Sequence, residues 1–209
     1  MVFKDFSEHN ATTVPQVPEA QLYTRFGKRA LDIVVSLAVL PLILVVLIPA
    51  AIAIKLTSRG PVLFKQTRHG QHKSTFRIFK LRTMNVMEDG NAFRQAVRND
   101  VRVTPVGRFL RRTSLDELPQ IWNVLRGEMS LVGPRPMIVS QISEYGPNFT
   151  AYKRTRPGIT GLWQTNGRNA TTFTERARLD AWYVRNWSLW RDFVILVRTV
   201  REVICARGN

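Results

Sequence analysis

The sequence predicts an α+β protein in two parts, a membrane-embedded helix-break-helix anchor and a small cytosolic domain of mixed helices and strands. Three observations lead there. Residues 33–54 form an uncharged apolar run, the whole chain has a formal net charge of +16, and short β-rich and helical patterns follow the run. The expected units are a flexible tail (1–24), a re-entrant membrane hairpin (25–58) and the cytosolic domain (59–209).

The tail is polar and net acidic, and Pro15 and Pro18 interrupt it. Such a composition favours a mobile segment. It is not typical of a signal peptide, because the apolar run starts too late and is too long for an h-region. The single Cys205 excludes an intrachain disulfide and fits a reducing compartment.

The apolar run has Ser36 as its only polar side chain. Its roughly 22 residues would span about 33 Å as a straight helix, close to the thickness of a bilayer's hydrocarbon core. The alternative is a buried helix of a soluble protein, but such helices are usually shorter and amphipathic. Pro41 and Pro49 each remove an intrahelical hydrogen bond, so they predict a bend.

Positive charges flank the run on both sides. They are Arg25, Lys28 and Arg29 before it, and Lys55, Arg59, Lys65 and Arg68 after it. The positive-inside rule then places both ends of the run in the cytoplasm, which a re-entrant hairpin allows. For a straight span, such symmetric charges would not determine which end is cytoplasmic. Asp32, at the mouth of the run, is expected to pair with Arg29 or Lys28, and a catalytic role for it is less favoured.

The cytosolic domain is expected to begin with strands at 61–66 and 75–84, joined by a turn at 70–73. On an extended strand Lys80 and Arg82 project from one face, where they could clamp a phosphate. The alternative is a charged, solvated edge strand. Residues 85–100 are expected to form a loop or a surface helix.

Two adjacent carboxylates, Asp116 and Glu117, stand in a strongly basic region. Ser114-x-x-Glu117 matches a capping box for a helix over 118–126 that stops at Gly127. Pro119 would then be the fifth helical residue, whereas an N-cap at Asp116 places it in the tolerant first turn. Either arrangement sets the carboxylates at a helix N-terminus, which favours an ionised Asp116 and a bound phosphate.

Three turns rich in Pro, Gly or Asn each present one arginine, namely Arg135, Arg156 and Arg168. Rigid turns of this kind suit bidentate phosphate contacts, so these arginines are candidate anion ligands. Within 182–207 the apolar residues at 190, 193, 194, 197 and 200 share a helical face. That face predicts a helix lying in the membrane interface or packing on a core.

The sequence contains no Cys/His metal cluster, P-loop or GxGxxG motif. The histidines at 9, 69 and 72 are expected at the surface.

Several blocks of the sequence, in order, resemble the bacterial sugar transferases, the monotopic polyprenyl-phosphate sugar-1-phosphate transferases of exopolysaccharide and glycan assembly. The blocks are Lys28-Arg29-x-x-Asp32, Phe79-Lys80-Leu81-Arg82-Thr83-Met84, Ser114-Leu115-Asp116-Glu117-Leu118-Pro119, Asn123-Val124-Leu125-Arg126-Gly127-Glu128-Met129-Ser130, Val132-Gly133-Pro134-Arg135-Pro136, and Arg156-Pro157-Gly158-Ile159-Thr160-Gly161 followed by Gln164, Asn166, Gly167, Arg168 and Asn169. The resemblance extends from about residue 25 to about residue 199.

The resemblance implies transfer of sugar-1-phosphate from a UDP-sugar to polyprenyl (undecaprenyl) phosphate, with release of UMP, as the first membrane step of exopolysaccharide or glycan biosynthesis. It implies that Asp116 is the covalent nucleophile and that Glu117, with Asp116, holds Mg²⁺. It also places the protein on the cytoplasmic face of the bacterial inner membrane, in contact with anionic lipid. The implied substrate-binding residues are Lys80, Arg82, Arg111, Arg135, Arg156, Gln164 and Arg168. The family pattern implies a helix break near residue 45, whereas this chain has Pro41 and Pro49.

A second hypothesis from a different class is a membrane-anchored basic adaptor or nucleic-acid-binding module. The Asp116-Glu117 pair opposes it, because two carboxylates repel phosphate, and no nucleic-acid partner is expected. The sequence specifies neither the sugar nor the oligomeric state, nor which arginines bind the diphosphate and which the lipid phosphate.

Overall fold

The computed structural model describes residues 26–85, 100–166 and 172–204. The expected tail, most of the polar segment at 85–100, and Arg168 lie outside these residues. Within them the protein combines helices with two small sheets, so the predicted α+β class is confirmed.

The helices are α1 Lys28–Thr57, α2 Pro105–Arg112, α3 Ile121–Leu125, α4 Ile142–Tyr145, α5 Phe149–Tyr152, α6 Phe173–Asn186 and α7 Leu189–Ile204. The strands are β1 Leu63–His69, β2 Thr75–Leu81, β3 Ser130–Val132 and β4 Gly158–Thr160. A 3₁₀ helix, Leu115–Gln120, leads directly into α3.

Helix α1 is one continuous element of 30 residues with Pro41 and Pro49 inside it. The predicted break is therefore wrong at the level of secondary structure. Each proline removes a single hydrogen bond, and the bonds on either side carry the helix through. The helix is long and apolar enough to cross a membrane, and most of it is exposed, with Leu42 at 69% and Val45 at 67%. A soluble core helix would not leave such side chains uncovered.

Polar side chains fix the first turns of α1 against the domain. Lys28 pairs with Asp192 of α7, their charged atoms lying 2.6 Å apart, and Arg29 donates to the last carbonyls of α3. Asp32 accepts hydrogen bonds from the Ser130 hydroxyl and the Leu131 N–H of β3. The expected pairing of Asp32 with Arg29 or Lys28 is therefore wrong, because residues distant in sequence provide better partners for all three groups.

Strands β1 and β2 form an antiparallel hairpin, as predicted, with Leu63 opposite Leu81 and His69 opposite Thr75. The first strand runs three residues further than expected, to His69, and the second ends at Leu81 rather than at residue 84. Because β1 continues through His69, this side chain is buried and packs edge-on against Phe149. Its predicted surface position is wrong.

Strands β3 and β4 form a short parallel pair, with Ser130 opposite Gly158 and Val132 opposite Thr160. The predicted turn at 156–161 is thus partly a strand. Glycine permits the pairing, because a Cβ on Gly158 would lie 2.1 Å from the backbone nitrogen of Gly133. Residues 133–136 lie outside any helix or strand, as predicted, and hold Arg135 where β3 ends.

The main core lies between the hairpin, α1, α3, the parallel pair and the C-terminal helices. Its fully buried members include Ile78, Val124, Met129, Val132, Tyr183, Val184 and Ile195. The helix predicted from the apolar positions between 190 and 200 is α7, and residues 187–188 separate it from α6. The predicted apolar face on α7 carries Trp190, Phe193, Val197 and Val200, all more than half exposed.

Candidate active site

Asp116 and Glu117 lie in the 3₁₀ helix that follows a reversal of the chain at Ser114. Ser114 adopts a left-handed conformation with φ 59° and ψ 16°, and its side chain makes no capping bond. Asp116 is the second residue of the 3₁₀ helix rather than its N-cap. Ser114 thus occupies the predicted N-cap position, but the capping box does not form, and the alternative N-cap at Asp116 is wrong. The reversal at Ser114 carries its hydroxyl away from the free N–H groups, and the Glu117 carboxylate turns to cationic partners instead. The predicted stop at Gly127, which has a φ of 81°, is confirmed.

Two basic side chains hold the Glu117 carboxylate. The Lys80 ammonium lies 2.7 Å from Oε1, and the Arg135 guanidinium lies 3.4 Å from the same oxygen. Burial opposes ionisation, but Lys80 and Arg135 outweigh it and lower the pKa of Glu117 to about 2. Glu117 is therefore an anion throughout the physiological range.

The Asp116 carboxylate has a different environment. Asp116 is 9% exposed, and no residue of the described ranges donates a hydrogen bond to its carboxylate. Burial raises the pKa of Asp116 to about 6; Glu117 adds to the increase, while Lys80, Arg111 and Arg135 oppose it. Above about pH 6 this gives an ionised carboxylate with free lone pairs in a cationic field, as a nucleophile requires.

A small cleft opens beside Glu117, with Asp116 adjacent to it in the chain but not in its lining, and brings together side chains from both sheets and the 3₁₀ helix. Its lining residues are Arg68, Ile78, Lys80, Glu117, Gln120, Arg135, Pro136 and Ile159. Three cationic side chains converge here from β1, β2 and the turn after β3. The charge of this lining suits an anionic group, and the cavity volume of about 10 Å³ gives room for about one phosphoryl oxygen.

Arg68 and Gln120 are cleft residues that sequence reasoning missed. Arg68 counted only as a charge flanking the membrane run, yet its guanidinium donates to the Pro136 carbonyl at 3.1 Å and to the Gln66 side chain. A signal was available, because period-two alternation in the hairpin puts Arg68 and Lys80 on one face once the register is known. Gln120 had no signal beyond its place after the carboxylates.

Arg82 does not reach the cleft. Its side chain donates to the carbonyls of Ser58 and Arg59, both at 2.7 Å, and so closes the C-terminal end of α1. Arg82 is also 2% exposed. Lys80 and Arg82 therefore do not form the expected phosphate clamp, although they are neighbours on the same hairpin. The alternative, a solvated edge strand, is also wrong for Arg82, because its side chain is buried.

The remaining sequence candidates fall in three places. Arg111 lies close enough to Asp116 to lower its pKa. Arg156 donates to the Gly127 carbonyl at 2.8 Å and is not among the residues that line the cleft. Gln164 is buried against β4, where it donates to the Ile159 carbonyl at 3.4 Å. Arg168 lies outside the described residues.

Packing behind Arg135 fixes its direction. The guanidinium lies 5.6 Å from the centroid of the Trp163 ring, and Arg176 stacks on the same ring at 4.6 Å. Asp180, buried nearby, accepts a hydrogen bond from the Tyr145 hydroxyl. Burial raises the pKa of Asp180 to about 7, although Tyr145, Arg135 and Arg176 lower it. Arg135 is thus held from behind while its tip faces Glu117.

The carboxylate pair also has the chemistry of a magnesium site. Mg²⁺ prefers oxygen ligands and is commonly held by one or two carboxylates together with substrate phosphates. No group of three or more His, Cys, Asp or Glu side chains occurs in the part of the chain that the structure describes. A cation held by Asp116 and Glu117 would thus take its other ligands from substrate and water, and the unbonded Asp116 oxygens fit that role.

Known proteins provide an independent comparison. The model of the family described as bacterial sugar transferase matches residues 23–206. The UDP-glucose:undecaprenyl-phosphate glucose-1-phosphate transferase of Caulobacter vibrioides is 46% identical over 201 residues, which cover 92% of this chain and 75% of that protein. The undecaprenyl-phosphate galactose phosphotransferase of Salmonella typhimurium is 40% identical over 208 residues, covering 90% of this chain and 43% of that protein.

A shorter relative matches over nearly its whole length. The uncharacterized sugar transferase EpsL of Bacillus subtilis is 39% identical over 181 residues, covering 87% of this chain and 89% of that protein. Several other curated relatives are longer, and the chain spans only about two fifths of their length, from 39% to 43%. The family match nevertheless covers almost all of this sequence, including every block of the candidate site. The chain belongs to the bacterial sugar transferase family.

Proposed function

We propose that the protein transfers sugar-1-phosphate from a UDP-sugar to undecaprenyl phosphate, releasing UMP and forming a polyprenyl-diphosphate-linked sugar. The observation that carries the proposal is the adjacent Asp116 and Glu117, of which Asp116 is buried and Glu117 lines a cationic cleft, in a domain attached to a long apolar helix. The name of the Caulobacter relative gives a UDP-sugar donor and an undecaprenyl-phosphate acceptor, and the name of the Salmonella relative gives the same acceptor.

In the first step an Asp116 carboxylate oxygen attacks the β-phosphorus of the UDP-sugar. The bond from that phosphorus to the bridging oxygen breaks, and UMP leaves with the electron pair. The product is an acyl phosphate that joins Asp116 to the sugar-1-phosphate. Lys80, Arg135 and Arg68 supply positive charge at the cleft, where it offsets the charge of the diphosphate in the transition state.

In the second step a phosphate oxygen of the polyprenyl phosphate attacks the same phosphorus. The acyl-phosphate bond breaks, the Asp116 carboxylate is restored, and the new diphosphate carries the sugar. Because the two substrates react in turn, one small cleft can serve both. Arg82, two residues from Lys80, fixes the C-terminal end of α1, and this supports our placing the lipid phosphate of the second step near the cleft.

We further propose that Glu117 and Asp116 hold Mg²⁺ when substrate binds. The ion would neutralise diphosphate charge and orient its oxygens. Replacing Glu117 with glutamine keeps the shape of the side chain but removes its charge, and therefore should raise the Mg²⁺ concentration needed for half-maximal UMP release by about tenfold or more. Titration of UMP release with MgCl₂ measures this, and an unchanged half-maximal concentration would place the metal elsewhere.

The membrane placement we propose is monotopic, with both ends of α1 on the cytoplasmic face of the bacterial inner membrane. One side of α1 contacts the domain along its length, from the Lys28–Asp192 pair, through Val39 and Ile43, to Ile54 in a second cluster. A straight span would separate ends that both contact the same domain. The flanking positive charges are also symmetric.

The exposed apolar surface supports the same placement. A stripe at helical spacing runs along the outer side of α1, through Val34, Leu37, Val45, Ile48, Ile52 and Leu56. Exposed aromatic side chains also occur on α2, α3 and α7, at Phe109, Trp122, Trp190 and Phe193. Aromatic side chains are enriched at membrane interfaces, and neighbouring arginines would attract anionic lipid.

Cysteine labelling tests this topology. In a variant with Cys205 replaced by serine, single cysteines at positions 20 and 59 should both react with a membrane-impermeant maleimide only in inverted membrane vesicles. Labelling of the two positions from opposite sides would show a true span and reject the monotopic proposal. The basic adaptor, our alternative function, is not favoured, because the cations converge on a carboxylate pair rather than on an open face.

A further inference from the structure

Gln120 is a buried side chain whose amide group is incompletely bonded. The residue is 1% exposed, and its Nε2 has no hydrogen-bond partner in the described part of the protein. Gln120 also lines the cleft beside Glu117, Lys80 and Arg135. A 3₁₀ helix has three residues per turn, so Gln120 lies directly above Glu117 on the same side of the helix.

A buried donor without an acceptor is unfavourable in the free protein. Native structures leave few such groups, and an apolar side chain of similar size would fill the space at no such cost. The amide is not required to satisfy the neighbouring backbone, because no described group accepts from it. The position of this amide beside the carboxylates is explained if the ligand brings a hydrogen-bond acceptor to it.

The cleft determines the chemistry of that acceptor. Its charged lining outside Glu117 consists of Arg68, Lys80 and Arg135, so the ligand that enters is an anion. A phosphoryl oxygen is a strong acceptor, and it can receive a neutral amide N–H alongside the cationic donors. A carbohydrate hydroxyl is less suited, because it would not benefit from the surrounding positive charge.

We infer that the Gln120 side-chain amide donates a hydrogen bond to a phosphoryl oxygen of the substrate, which makes Gln120 a substrate-binding residue. This inference rests on the proposed phosphosugar transfer. The phosphoryl oxygen belongs either to the nucleoside diphosphate donor or to the lipid phosphate acceptor, since both pass through the same cleft. The two half-reactions separate these sources.

The test compares Gln120→Met with wild type in detergent micelles. In the absence of substrate, Gln120→Met should melt at the same temperature or higher, because it removes an unsatisfied donor. In the single-turnover burst of UMP release without acceptor, the concentration of UDP-glucose, or of whichever UDP-sugar wild type uses, that gives the half-maximal rate should rise about tenfold. If the bond is instead to the lipid, that concentration stays constant and transfer from the preformed intermediate to undecaprenyl phosphate slows about tenfold.

Gln120→Glu provides a second variant of the same shape, in which a negative acceptor replaces the donor. It should bind the substrate phosphate more weakly than Gln120→Met does. The matched control is Gln71→Met, the same change at a turn where the amide donates to the Arg154 carbonyl outside the cleft. Gln71→Met should leave both half-reactions as in wild type.

Two results would overturn the inference. One is unchanged kinetics of both half-reactions in Gln120→Met, which would show that no substrate group meets the amide. The other is a lower melting temperature in Gln120→Met without substrate, which would show a structural role. A readout without turnover separates this from failure of the proposed function: UDP should raise the melting temperature of wild type more than that of Gln120→Met, even if no tested UDP-sugar is turned over.

Discussion

Replacing Asp116 with asparagine should lower UMP release from a UDP-sugar by about a thousandfold or more. An asparagine amide cannot form the acyl phosphate, whereas the side chain keeps its shape and its place in the 3₁₀ helix. The substitution should not unfold the protein, because none of the described residues donates a hydrogen bond to the Asp116 carboxylate and burial already disfavours its charge. We expect an unchanged or slightly higher melting temperature.

The assay should run near pH 8, where the wild-type carboxylate is ionised, and its control should be Glu144→Gln. Glu144 is an exposed carboxylate of α4, so this variant makes the same kind of change away from the cleft and should retain full turnover. Incubation with UDP-sugar in the absence of lipid should also add the mass of a sugar phosphate to wild type and not to Asp116→Asn. Substantial turnover by Asp116→Asn would exclude the covalent mechanism.

The carboxylates and Arg135 of the candidate site could be predicted from the sequence, because they belong to local motifs. Two adjacent carboxylates are conspicuous in a sequence as basic as this one. Arg135 lies in a Pro/Gly segment that cannot form a helix. The structure brings both to Lys80, and it places Arg111 near Asp116. For these residues, type and short-range spacing were sufficient.

The errors arose where a residue's partner lies far away in the chain. Arg82 has the spacing of a phosphate ligand, yet it caps α1 through carbonyls more than twenty residues earlier. Asp32 seemed to have adjacent basic partners, but β3 supplies a hydroxyl and an N–H almost one hundred residues away. No local sequence pattern shows whether a charged side chain will bond to a distant backbone or hydroxyl group or form an ion pair with a neighbour at the surface.

Backbone geometry caused the other errors. A capping box is recognised by residue type, but its bonds also need an extended N-cap residue, and Ser114 is left-handed. The three-residue strand β4 could not be predicted, because Pro157 and Gly158 indicate a turn and only the neighbouring β3 makes the segment extended. The anchor's length and polarity, by contrast, follow from composition alone.

The second large effect should come from the buried pair at the start of α1. The side chains of Lys28 and Asp192 are only 8% and 1% exposed, and the Tyr183 hydroxyl hydrogen-bonds to both. Removing one charge leaves the other buried without its oppositely charged partner, which typically costs about 3–5 kcal/mol. Lys28→Met or Asp192→Leu alone should therefore lower the melting temperature in detergent by about 10 °C.

The double variant Lys28→Met/Asp192→Leu distinguishes a paired charge from two independent contacts. With both charges removed, neither is left unpaired in the core, so the double variant should melt above at least one of the single variants. Additive losses would show that the two residues act separately. The pair should matter to the site as well, because the Tyr183 hydroxyl, which donates its proton to Asp192, also lies 3.2 Å from the Val132 carbonyl oxygen at the end of β3, directly before the turn that carries Arg135. Loss of this network should thus reduce UMP release in the single variants even below their melting temperature, and restoring stability in the double variant should restore part of that activity.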